Sequence, residues 1–267
     1  MKKYLAFFRL RFSMGLQYRA AALAGIVTQF VWGIMEILTF RAFYYSDPAA
    51  FPMSFQATVA YIWMQQAFLA LFIAWMMEGE IFSAIMDGNI AYELCRPVDI
   101  YHMWFSRSIA NRLSKAVLRC FPILAVAIFI PAPYGLMPPV SPLAFLFFLL
   151  SLTVGTGVCV ALCMLVYMTC FFTISPMGVR MLAGSVLEFF SGAVIPLPFF
   201  PDKLRRVMEL LPFASMQNVP LRIYSGDLSG TAMYKATLLQ LFWLIALIGI
   251  GKLLNTLAMK KITVQGG

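Results

Sequence analysis

Residues 143–172 read LAFLFFLLSLTVGTGVCVALCMLVYMTCFF, thirty residues without one charged side chain. A helix needs about 20 mainly apolar residues to cross the hydrocarbon core of a bilayer. Thirty is long for one upright span and short for two spans with a turn, so the run reads as one helix that tilts or protrudes. Five other stretches meet the same requirement, at 21–44, 57–77, 113–132, 177–198 and 236–257. The chain is 62% hydrophobic and 12% charged, against about 45–50% and about 25% in soluble domains. It has too little polar surface to wrap a soluble core of 267 residues. The expected fold is all-α: one polytopic membrane domain over 1–267 with six transmembrane helices, no internal repeat and no linker.

Lysine and arginine set the orientation. With the N-terminus inside, the inner segments hold eleven of the twenty cations and the outer segments six. Both termini are therefore expected on the cytoplasmic side of the cell (inner) membrane. The net charge of +9 lies beside apolar runs, which suits anionic lipid headgroups rather than nucleic acid. At the start, Arg9 and Arg11 interrupt the apolar core that a secretory signal needs. Leu5, Phe8, Phe12 and Leu16 share a helical stripe, so 1–20 is expected to lie in the interface.

The segment 192–232 is broken by Pro196, Pro198, Pro201, Pro212 and Pro220. Between Pro201 and Pro212, DKLRRVMELL predicts a short amphipathic helix with Asp202 as its N-cap and Leu204, Met208 and Leu211 as its apolar stripe. Broken helices at membrane depth persist only when buried in protein or lining a cavity. The segment is expected to be a re-entrant helical hairpin on the outer side, before the last span.

Recognisable catalytic chemistry is missing. The string GIGK at 249–252 lacks the earlier glycine and the following Ser or Thr of a phosphate loop; Gly249 and Gly251 read as packing residues. Five cysteines and one histidine lack ligand spacing, so the cysteines read as small buried hydrophobes and no metal is expected. Polar groups within the spans are costly and mark pathways or pairing. The first span carries Gln29, Trp32, Glu36 and Arg41, the second Tyr61, Gln65 and Gln66, and the fifth Glu188. Gln29, Trp32, Gln65 and Glu188 are the candidate cavity residues, Glu36 and Arg41 an expected outer pair. Arg112, Lys115 and Arg119 share one face of the third span and are expected to snorkel to the inner headgroups. Ser151, Gly155, Gly157 and Ala161 give small-residue spacing for helix packing in the fourth.

Between the second and third spans the chain turns polar. Residues 78–112 hold five of the eleven acids, Glu78, Glu80, Asp87, Glu93 and Asp99. Gly88 tolerates left-handed backbone and ends the preceding turn. Residues 89–95 then predict a short helix with Ile90 and Leu94 on one face, stopped at Arg96 by Pro97. That face is too small to form a core and is expected to bury against a partner.

The run EGEIFSAIMDGNIAYELCRPVDIYHMWFSRSIA at 78–110 resembles the first cytoplasmic loop of type-2 ABC exporter permeases, which show an acidic residue and a glycine, a short amphipathic helix, then a proline. Gly88, Ile90, Glu93, Leu94, Arg96 and Pro97 stand where that pattern expects them. SGAVIPLPFFPDKLRRVMELLPF resembles the outer hairpin of the same permeases. The resemblance covers nearly the whole chain and is nearest to the permeases that pair with a second, different permease. It implies a transport subunit without its own nucleotide site. Two permease chains, a second and different permease or otherwise a homodimer, would face each other above two copies of a separate ABC ATPase, which binds ATP and Mg and drives export. On that reading Glu78, Glu80, Gly88, Ile90, Glu93, Leu94, Arg96 and Pro97 couple to the ATPase. With 15% aromatic residues and few span charges, the substrate is expected to be hydrophobic or amphipathic: a drug, lipid or peptide. The alternative is a secondary carrier or channel not coupled to ATP. It calls for paired intramembrane charges and inverted repeats, and the sequence has neither.

Overall fold

A computed structural model of the chain describes residues 2–173 and 176–261. Met1 and residues 262–267, the ends of the expected 1–267 unit, lie outside them. The described residues form helices joined by turns and loops, without strands. In chain order the helices are α1 (Lys2–Leu16), α2 (Arg19–Ser46), α3 (Phe55–Phe72), α4 (Gly79–Met86), α5 (Ile90–Leu94), α6 (Ile100–Phe129), α7 (Pro142–Thr169), α8 (Pro176–Ser191), α9 (Asp202–Leu210), α10 (Asn218–Tyr224) and α11 (Gly230–Lys261).

Among the described residues, four helical stretches are long and apolar enough to cross a membrane: Arg19–Ser46, Phe55–Met86, Pro142–Phe172 and Gly230–Lys260. The second is not continuous, because the helix stops after Phe72 and restarts at Gly79. The 143–172 run does form one helix, α7, whose 28 residues rise about 42 Å. Two expected spans do not join the four. α6 carries Arg107, Arg112, Lys115 and Arg119 in its first twenty residues, and α8 has only 16 residues. α8 stops because Gly192 takes a left-handed backbone, φ +79°, and Pro196 follows.

α7 is the central helix. Its flanks are covered by α11, α10, α3 and α6, and most of its residues are buried. The expected small-residue stripe is at these contacts: Gly155 lies against the Met216 carbonyl, Gly157 against Leu244, and Ser151 donates to Gln240 Oε1 at 2.7 Å. α2, in contrast, leaves Leu23, Val27, Val31 and Met35 exposed.

α1 packs along α6 by residues outside the stripe expected to face the interface. Tyr4 and Phe7 pack against the core while Leu5 is exposed. Gly15 completes this face, since a side chain there would overlap Ser114 of α6. Tyr4 further fixes the docking: its hydroxyl accepts from the Asp99 N–H at 3.0 Å, and its carbonyl accepts from the Ser106 hydroxyl at 3.2 Å.

In the proline-rich segment the short helix α9 forms as expected, but Pro201 occupies the N-cap position and Asp202 is the first helical residue, paired with Arg205 at 2.8 Å. Only Met208 of the expected stripe is fully buried; Leu204 is exposed. Every residue of α10 is buried.

Candidate coupling surface and polar span residues

α4 and α5 extend from the bundle end where α3 stops and α6 begins. α4 carries the first acids. Glu78 precedes it, and its backbone N–H donates to the Tyr167 hydroxyl of α7 at 2.6 Å. Its carboxylate lies 3.9 Å from Arg107 Nε. Glu80 pairs with Arg107 and lies 3.6 Å from Arg11 of α1. Arg107 is itself buried, so both acids engage cations within the chain. Together they join α1, α4 and α6.

After α4, Gly88 sits at φ +73° with open space where a side chain would be. A β-carbon would strain this backbone even though it meets no neighbour. α5 follows for five residues. Ile90 is only 5% exposed and belongs to the chain's own core. Glu93 also turns inward and accepts from Trp104 Nε1 at 2.6 Å, Trp104 being fully buried. The expected Ile90–Leu94 outer face is therefore split. One turn of helix cannot keep both residues outside when its inner side must cover Trp104. Tyr92 (75% exposed), Leu94 (37%) and Met86 (55%) instead form the outward apolar surface, with Cys95, Arg96 and Pro97 exposed beside them. The exposure of Cys95 departs from the buried reading of the cysteines; the other four are buried.

This exposed surface is tethered at its far side. The Pro97 carbonyl accepts from Lys3 Nζ at 2.5 Å. Asp99 caps α6, accepting from the His102 N–H at 2.9 Å and approaching its ring Nδ1 at 2.6 Å. Partial burial pushes the Asp99 carboxyl up, but the His102 contacts outweigh it and hold it below the ordinary aspartate value.

Behind the loop lies a residue the sequence reading placed wrongly. Arg112 was expected to snorkel, yet it is 4% exposed. Its guanidinium donates to the Leu71 and Ile73 carbonyls at 3.1 and 3.0 Å and reaches Cys163 Sγ at 3.4 Å. The last carbonyls of a helix lack intrahelical donors, and Arg112 supplies them where α3 ends. Cys159 and Cys163 do share a face, as their spacing implies. Cys159 Sγ lies 3.4 Å from the Phe72 carbonyl. No signal short of the tertiary structure joins these residues.

The four candidate cavity residues fall in different surroundings. Gln29 of α2 is buried with neither amide atom partnered among the described residues. Trp32, one turn on, is 60% exposed. Gln65, near the middle of α3, donates to the Ala193 carbonyl at 2.9 Å. Glu188 of α8 is half-buried, within hydrogen-bonding reach of Trp75. The structure brings Gln65 and the α8 end together at Ala193, whose N–H donates to the Glu188 carbonyl. It does not bring Trp32 to them. The expected Glu36–Arg41 pair is also absent: Glu36 accepts from Gln66 at 3.3 Å, and Arg41 stacks over Tyr45 and Tyr134.

At the opposite end of the bundle, α9 and α10 are locked by Arg222, which pairs with Glu209 and with Asp227 at 2.5 Å. Between these helices the Ser215 carbonyl accepts from Gln240 Nε2 at 2.8 Å, and the Leu210 carbonyl accepts from Trp243 Nε1 at 3.0 Å.

Residues 30–266 match the family described as ABC-2 family transporter protein. No curated protein and no solved structure matches the chain. Permeases of that family are membrane transport subunits that work with an ABC ATPase. The match spans nearly nine-tenths of the sequence, and it takes in the stretches long and apolar enough to cross a bilayer, the first of them from residue 30 onward. The chain is thus a multi-pass membrane protein and belongs to the ABC-2 transporter family.

Proposed function

We propose that the chain is the transmembrane subunit of an ATP-driven exporter, and that Met86–Pro97 is the element that meets its ATPase. The observation that carries this reading is an exposed apolar surface on a rigid mount. Tyr92, Leu94 and Met86 face out, while Ile90, Glu93 and Pro97 tie the same segment to the core, to α6 and to α1. A partner pressing on such an element moves helices rather than a loose loop. Arg96 on the rim would orient the partner more than it binds it. Glu78 and Glu80 serve the mount instead of the contact.

In this reading the C-terminal part of α6 and the short α8 complete six spans, with both termini on the cytoplasmic face of the cell membrane. The segment 192–232 is the outer re-entrant hairpin. Its supports are the contacts of its ends and its middle. Phe199 stacks on Phe40 near the end of α2, and Tyr224 donates to Met137 just before α7. Between them, Ser215 and Met216 meet Gln240 and Gly155, each well inside its helix. α9 thus runs inward and α10 returns, and the burial of α10 meets the requirement for broken helix at membrane depth. Two such permeases, different chains rather than copies, would face each other above two ATPase subunits holding ATP and Mg. The exposed face of α2 is available to the partner permease. The substrate is hydrophobic or amphipathic, with Gln29, Gln65 and Glu188 as the polar groups nearest to its path and Trp32 facing outward.

The test is Tyr92→Asp with Leu94→Asp, both on exposed positions. Membrane insertion is expected to be normal while ATPase co-purification and substrate-stimulated hydrolysis are lost. A double variant that transports at the unsubstituted rate would show the segment to be only a loop.

A further inference from the structure

We propose that the cavity at the joint between α1 and α2 binds the phosphate ester of an anionic membrane lipid. The cavity holds about 340 Å³ and is walled by α1, the first turn of α2 and one face of α6. Three cations face it, Arg11, Lys115 and Arg119, against one acid, Glu80. Glu80 is already shared between Arg107 and Arg11. Lys115 and Arg119 form no ion pair among the described residues; Lys115 Nζ comes no nearer than 3.9 Å to Met76 Sδ, and Arg119 Nε is buried without an acceptor. Neither cation has a paired counter-charge among the described residues, and an oxyanion in the cavity would supply one.

The backbone is arranged for the same charge. α2 begins at Arg19 with no side-chain cap from Tyr18; the Arg19 and Ala22 N–H groups donate to the Gln17 and Tyr18 carbonyls, and the N–H of Ala21, which lines the cavity, has no backbone acceptor among the described residues. Uncapped N–H groups at a helix start favour an anion. Gly25 lets Arg119 lie flat on α2, since a β-carbon there would be 2.5 Å from its Cζ.

The rim distinguishes a lipid from a soluble phosphate. Met14 and Leu118 line the opening, Tyr18 is exposed beside it, and Leu23 is exposed on α2 just beyond. A headgroup seated on the cations would leave its acyl chains along this apolar surface, at the start of the 113–132 stretch. A zwitterionic headgroup brings its own cation into a field of three, so an anionic lipid is favoured.

The experiment uses the full chain, delipidated in detergent and titrated with mixed micelles of phosphatidylglycerol or phosphatidylcholine, retained lipid being counted by native mass measurement. Phosphatidylglycerol is expected to be retained preferentially. Lys115→Gln with Arg119→Gln should lower its apparent affinity about tenfold, and Gly25→Val, which keeps every charge and displaces Arg119, several-fold. Lys203→Gln with Lys235→Gln removes equal charge from exposed positions elsewhere and should change nothing. If the double cation variant does not insert, Gly25→Val decides. Equal retention of the two lipids, or an equal loss in the control, overturns the site. Glycerol phosphate displacing the lipid at equal concentration overturns the lipid assignment in favour of a soluble anion.

Discussion

Arg112 separates two physical accounts of a cation in an apolar helix. If it snorkelled, Lys would replace it freely, because either side chain can reach the headgroups. In the structure it is buried and its planar fork serves two carbonyls at 3.1 and 3.0 Å, Leu71 and Ile73, plus Cys163. Arg112→Leu removes both charge-assisted bonds and leaves two buried carbonyls without donors, at about 1–3 kcal/mol each. Leu also removes the cost of burying the charge, which offsets part of the loss. The expected net destabilisation is about 2–4 kcal/mol, a large fraction of the roughly 5–15 kcal/mol typical of folded proteins. Arg112→Lys should do no better. Both carbonyl bonds come from Nη1, which the shorter lysine must reach with its one ammonium while losing the Nη2 contact to Cys163, and its charge stays buried. The assay is unfolding of the purified chain in mixed micelles by SDS titration, with the maleimide labelling rate of Cys159 and Cys163 as a local probe in a Cys95→Ser background. Both variants should unfold at lower SDS and label faster. An Arg112→Leu protein with unchanged midpoint and labelling would refute the carbonyl-binding role and restore the snorkelling account.

Three other expectations follow from the same geometry. Trp104→Phe removes the bond to Glu93 with little change in volume; it should cost about 1–2 kcal/mol and lower substrate-stimulated hydrolysis more than ATPase binding, both measurable on the reconstituted complex. Asp99→Ala removes the α6 cap at about 1 kcal/mol. Because the folded Asp99 carboxyl lies below its ordinary value, its contribution is full above about pH 3.9 and disappears as the pH falls through the lowered value, so wild type and Asp99→Ala should converge in stability only in acid. Arg222→Met leaves Asp227 without its cation and Glu209 with only Arg205 at 4.0 Å, a loss of about 1–3 kcal/mol. Cleavage by added protease between Pro201 and Pro212 reports it.

The apolar runs were legible because crossing a bilayer is a matter of length and composition. α2, α7 and α11 fall where those runs place them, and the 143–172 run forms the single helix its length implies. Gly88 and Pro97 bracket α5 as their backbone preferences require, since φ restrictions act within one residue. Side-chain partners were another matter. The spacing of Ile90 and Leu94 states that they share a helical face, but a five-residue helix has no polar side to show which way that face points. Trp104, eleven residues beyond Glu93, decides it. In α1 the sequence shows an apolar stripe but not the docking face: Tyr4, Phe7 and Gly15 meet α6, where their fit depends on Ser106 and Ser114, about a hundred positions away. The same distance hid the role of the α6 cations. Composition gives the cost of a charge in an apolar helix but not how the fold meets that cost. Arg112 meets it with the carbonyls of a broken helix 39 and 41 residues earlier. Arg119, two turns further along the same face, is left with a buried nitrogen and a cavity beside it. One face thus holds a solved and an unsolved charge, and the difference between them points to a ligand.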